Sequence, residues 1–149
     1  MPFTATPYVA PVDPSGFARW TARCVAGAVR IPGLRRFLLL PAVARPGYWF
    51  ATAAAFLWGC LLLGHWGRRS GLHSFVTVPA WAFGRGGTTI GAIYLTRDNT
   101  REGVLEHERV HTRQWKKYGL CFLPLYIAAG ADARGNRFEV EAGLERGGY

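Results

Sequence analysis

His107, Glu108 and His111 form a stretch of this 149-residue chain whose residue types and spacing could do chemistry together. In an α-helix, positions i and i+4 stack on one face, so His107 and His111 can offer two imidazoles to one metal ion. Glu108 directly follows the first imidazole, where its carboxylate can reach a water held by that ion. A catalytic metal site needs three protein ligands and one open position. The third ligand must come from downstream. Glu139 and Glu141 lie on an expected final helix over residues 136–142, with Glu145 a more distant candidate. Only one of Glu139 and Glu141 can face the ion from a helix.

The elements that must position these residues can be read around them. Asp98, Asn99 or Thr100 is expected to cap a helix from about Arg101 to Tyr118, closed by Gly119. On it Val104, His107, Glu108, His111 and Trp115 share a face, while Glu102, Glu106, Arg109, Arg113 and Lys116 point elsewhere. Two histidines and a glutamate on an inward face are costly to bury without a partner, and a metal ion would satisfy all three. Upstream the texture is β. Residues 75–78 form one short strand candidate, residues 84–87 a Gly-rich turn, and residues 88–96 a second strand. Downstream, residues 120–129 are an apolar run too short to span a bilayer, suited to wedge into a membrane or to cover the site.

Residues 84–146 resemble a reduced gluzincin, the H-E-x-x-H zinc metallopeptidases whose third ligand is a Glu on a following helix. The likeness is closest to membrane-associated members of that group. Gly86-Gly87, Ile93-Tyr94-Leu95-Thr96-Arg97 and Val104-Leu105-Glu106-His107-Glu108 follow their order of Gly-rich turn, edge strand and motif helix. Their third ligand often sits in an E-x-x-A-D setting. Glu139-Val140-Glu141-Ala142 fits it, so the resemblance selects Glu139 over Glu141. Gly143 stands where that family usually has Asp. The resemblance implies Zn2+ held by His107, His111 and Glu139, with Glu108 as the catalytic base. It also implies an extended peptide or protein substrate paired on strand 88–96, and a Tyr or His for the oxyanion. Tyr94, Tyr118 and Tyr126 are available for that last role.

Charge and hydropathy place this unit behind a different kind of sequence. From Pro14 to Arg97 there are ten arginines and no acidic residue, whereas Asp98 to Tyr149 holds eight basic and eight acidic residues. Basic charge flanking apolar, aromatic runs suits an anionic membrane surface better than nucleic acid, which calls for a basic polar face. Residues 1–14 carry four prolines and read as extended. Ser15 is expected to cap a basic amphipathic helix to about Arg30, with Phe17, Trp20, Cys24 and Ala28 in one stripe. That stripe could face a membrane or the protein's own core. Gly47 to Trp66 is twenty residues without Asp, Glu, Lys or Arg, enough to cross a bilayer, with Tyr48, Trp49 and Trp66 at its ends. The arginines on its two sides leave orientation open.

Cys24, Cys60 and Cys121 are scattered without a C-x-x-C pair, which supports neither a disulfide framework nor a cysteine zinc site. The expected fold is therefore α+β and mostly helical. It divides into an extended start and amphipathic helix (1–46), a membrane-spanning or membrane-embedded helix (47–66), and a minimal zincin unit (74–149) of short β-hairpin, motif helix and Glu-bearing helix. The expected function is a membrane-anchored zinc metallopeptidase. The alternatives are a non-catalytic membrane scaffold with that fold, or a basic membrane-surface or nucleic-acid-binding module in which the histidines are ordinary core residues.

Overall fold

Ser15 opens the first helix, α1 (Gly16–Arg30), its hydroxyl accepting from the Ala18 amide at 3.2 Å. The computed structural model describes residues 15–82 and 86–148; the Pro-rich start and part of the Gly-rich turn lie outside them. α1 packs on a later helix through the strip that includes buried Thr21, whose hydroxyl donates to the Phe17 carbonyl. The aromatic end of the expected stripe is not in the core: Phe17 and Trp20 are each 61 % exposed and stack on one another. A single turn, α2 (Leu34–Leu38), leads to α3 (Pro41–Leu61).

α3 departs from the expected span over 47–66. It ends at Leu61, residues 62–64 turn, and His65 and Trp66 begin a strand. Ala44, Tyr48, Ala51, Ala55 and Gly59 form a buried stripe at helical spacing, so one face of α3 is a core face. Among the described residues, no helix is long and apolar enough to cross a membrane. α3 takes in Arg45 and Pro46 and ends at Leu61, so it does not coincide with the uncharged run over 47–66.

The sheet holds β1 (His65–Arg69), β2 (Leu72–Val76), β3 (Gly87–Ile90) and β4 (Ile93–Thr96) in the order β1-β2-β4-β3. β1 and β2 pair antiparallel, β2 and β4 parallel, and β3 and β4 antiparallel with Thr89 opposite Tyr94. The single strand expected over 88–96 is thus a hairpin, and β1 begins in the last two residues of the expected membrane helix. Gly91 makes the turn at φ +61°, and a Cβ there would meet the backbone nitrogen of Thr52 at 2.5 Å. The Thr52 hydroxyl accepts from the Ala92 amide at 3.0 Å, so α3 pins the hairpin.

Both faces of β4 are covered, as the side-chain period of two requires. Ile93 and Leu95 pack with Ala55, Leu62, Phe75 and Val78 on the α3 side. Tyr94 packs with Leu72, Val104 and Leu105 on the side of α4 (Glu102–Tyr118). The start of α4 differs from expectation: Arg101 is the cap residue and makes no side-chain capping bond. Glu102 in the first turn supplies negative charge at the positive end of the helix instead. Gly119 closes α4 as expected. Then follow α5 (Phe122–Ala128), α6 (Arg137–Ala142) and α7 (Leu144–Gly147). Tyr48 and Ala51 of α3, Trp115 of α4, Phe122 of α5 and Phe138 of α6 form the core that joins these helices.

Candidate metal centre

α4 turns His107, Glu108 and His111 inward, and all three are buried. α6 brings Glu139 to them, itself only 3 % exposed. The Nε2 atoms of the two histidines lie 3.0 Å apart. Glu139 places Oε2 3.0 Å from His107 Nε2 and Oε1 3.5 Å from His111 Nε2. These three residues form a buried group whose ligand atoms all lie within 4.8 Å of one another, a group that could hold a metal ion.

The hydrogen bonds behind the rings determine which atoms face inward. His107 Nδ1 is 3.0 Å from the Gly143 carbonyl, and His111 Nδ1 is 2.8 Å from Gln114 Oε1. Both partners are carbonyl oxygens that can only accept, so each Nδ1 carries the proton and donates. In the neutral rings both Nε2 atoms then present lone pairs to each other and to a carboxylate. Glu139 Oε2 is buried without a hydrogen-bond partner despite its closeness to His107. These atoms converge on one point, where a positive charge, either a metal ion or the proton of an imidazolium, would satisfy them. Ligand atoms roughly 2.0–2.2 Å from a tetrahedral ion stand about 3.3–3.6 Å apart, a few tenths of an ångström wider than two of the three spacings seen.

The electrostatics fit the same picture. Burial pushes the Glu139 carboxyl up, but the imidazoles of His107 and His111 and the Tyr126 hydroxyl outweigh it and hold the group well below the usual carboxylate range. Burial lowers the proton affinity of His107, and Glu139, the Gly143 carbonyl and Glu108 more than reverse this. Glu108 goes the other way. Its burial raises the carboxyl above its ordinary value, against the opposing pull of His111, Thr89 and His107. Thr89 on β3 donates to Glu108 Oε2 at 2.7 Å and fixes where that carboxylate points.

Of the other candidates, Glu141 is exposed and accepts from Gln114 Nε2 at 3.0 Å, and Glu145 is exposed on α7. Neither joins the buried group. Among the tyrosines, Tyr126 lines the cleft beside the group and its hydroxyl donates to Glu139 Oε1. Tyr94 lies in the sheet with its hydroxyl donating to the Asn99 carbonyl, and burial pushes it up to about 12. Tyr118 packs against Phe122 and Phe138 and does not line the cleft. The cleft holds about 430 Å3, with Thr88 and Ile90 of edge strand β3 along one side and Trp115, Phe122 and Leu123 forming apolar wall. The 120–129 run therefore covers the site through Phe122, Leu123 and Tyr126.

Four supports escape a reading by motif. Gln114 follows His111 by three residues on the same face, and that spacing could have flagged it; its Nε2 also donates to the Phe138 carbonyl, tying α4 to α6. Buried Asn136 donates to the carbonyls of Tyr126 and Gly130 and accepts from the Phe138 amide, joining α5 to α6. Thr89 has no local signal. Gly143 acts through its backbone, which side-chain type cannot reveal: its carbonyl accepts from His107 Nδ1. Comparisons with protein-family models, curated proteins and solved structures found no match to this chain.

Proposed function

We propose that this chain is a zinc-dependent peptide hydrolase of the gluzincin kind. The observation that carries the reading is the meeting of His107, His111 and Glu139, with a second buried carboxylate, Glu108, beside the group but outside it. Two imidazoles and one carboxylate, with no thiol, suit zinc, although the donor set by itself also accepts other first-row ions. Zinc, when bound, supplies a Lewis acid for a peptide carbonyl and brings the acidity of a coordinated water toward neutrality.

The chain's own residues supply the rest. Glu108 accepts a proton from the attacking water and returns it to the leaving amine, its orientation set by Thr89. The Tyr126 hydroxyl, which here donates its one proton to Glu139 Oε1, turns from it to donate to the oxygen that gains charge. The outer edge of β3 pairs with an extended substrate, and Trp115, Phe122 and Leu123 receive an apolar side chain. The convergence of two imidazole nitrogens and a carboxylate, all buried, supports the metal reading over an ordinary core role for the histidines.

A quenched fluorescent peptide library incubated with zinc-loaded protein tests this. Cleavage is expected, and Glu108→Gln should lower it by about a hundredfold or more while zinc content is unchanged. Zinc-loaded protein that cleaves nothing would point to a non-catalytic scaffold, and cleavage unaffected by Glu108→Gln would remove Glu108 from the mechanism.

A further inference from the structure

Opposite its buried stripe, α3 carries an outer face with no polar side chain over Trp49, Phe50, Ala53, Ala54, Phe56, Leu57, Cys60 and Leu61. Trp49 is 61 % exposed, Phe50 66 %, Leu57 63 % and Leu61 74 %. Water-facing apolar surface this continuous marks an interaction site. Its surroundings are basic. Arg45 stands at one end, Arg68 and Arg69 on β1 follow the other, and all three are exposed. The elements α1 to β4 contain no acidic residue, so none tempers that charge from within this part of the chain.

We infer that the outer face of α3 docks on an anionic lipid bilayer, lying in the interface rather than crossing it. Charge complementarity selects this occupant. Anionic headgroups attract Arg45, Arg68 and Arg69, whereas a second copy of the chain would bring the same arginines together and repel. Apart from the Trp49 indole N–H and the weakly polar Cys60 thiol, the face offers no hydrogen-bonding group to a protein partner, and the acyl boundary of a bilayer asks for none. Trp49 and the half-exposed Trp66 have the amphipathic rings that settle at headgroup depth. Phe17 and Trp20, exposed on α1 among Arg19, Arg23 and Arg30, supply a second patch of the same chemistry. The inference is independent of the metal centre.

Vesicle sedimentation of the full chain tests it, using phosphatidylcholine alone and phosphatidylcholine mixed with phosphatidylglycerol. Binding to the mixed vesicles should be at least about tenfold tighter and should weaken as salt is raised. Phe50→Glu with Leu57→Glu should abolish it, and Arg45→Gln with Arg68→Gln and Arg69→Gln should remove the preference for phosphatidylglycerol. Circular dichroism and zinc content should remain those of the parent, because every changed side chain is exposed and outside the site. No sedimentation with either vesicle, or equal binding to both, overturns the inference. A stable dimer in lipid-free sedimentation velocity that Phe50→Glu with Leu57→Glu dissolves also overturns it and assigns the face to a second copy.

Discussion

Glu139 and Glu141 are two residues apart on one short helix, and their surroundings separate them completely. Glu139 is buried against two imidazoles, while Glu141 is exposed and reaches the site only through Gln114. Glu139→Gln should weaken zinc binding by on the order of a hundredfold or more, because it removes a ligand. Glu141→Gln should weaken it by less than about tenfold, being one step further out than a direct support of a ligand. Competition against a chromophoric chelator reads both. The same assay at varied pH checks the electrostatics. Zinc must displace protons from His107, whose pKa is raised above 6.5, so affinity should be full above that raised value and fall as pH drops through it. In chelator-treated protein the pair should stabilise the fold most between about 4.5 and 6.5. The contribution of Glu139, with its depressed pKa, is present above 4.5 and lost as pH falls through the depressed value. That of His107 is present below 6.5 and lost as pH rises through the raised value. A midpoint of thermal unfolding that is flat from pH 4 to 8 in metal-free protein would contradict this.

At the scale of elements, the break between α6 and α7 matters as much as the motif helix. Gly143 sits there at φ +91° and ψ 102°, a backbone conformation that side chains disfavour, and it aims its carbonyl at His107 Nδ1. Gly143→Ala should cost about 1–3 kcal/mol of stability and lower zinc affinity roughly 10–100-fold through the misplaced carbonyl, measured by thermal unfolding and chelator competition. Loss of stability without loss of zinc affinity would leave Gly143 as a turn residue alone. The contrast with α4 shows what sequence can carry. α4 is legible because its buried face repeats with helical period and its chemistry lies in side chains. Glu139 is legible as one of a spaced pair. The 88–96 hairpin is not, since its turn depends on Gly91 fitting against Thr52 and on the Ala92 amide donating to the Thr52 hydroxyl, a bond across forty positions of chain. β1 is hidden too, because Trp66 prolongs an uncharged run and Arg68 and Arg69 look like its flank. The Gly143 carbonyl and the Asn136 bonds leave no trace in residue type.

Across the whole molecule, chemistry and surface divide at about Asp98. The acid-free part supplies α3, which backs the sheet with one face and leaves its other face apolar. The charge-balanced part supplies all three members of the metal group and Glu108, while β3 contributes Thr89 and the free sheet edge across the cleft. A group buried at this junction of α4, α5, α6 and β3 ties elements distant in sequence. The central claim is that His107, His111 and Glu139 hold one ion, and metal content by mass spectrometry tests it most directly. Protein purified without chelator should carry one zinc per chain, and His107→Ala should carry almost none. Parent protein that contains no zinc, and takes up none when zinc is added, would contradict the account.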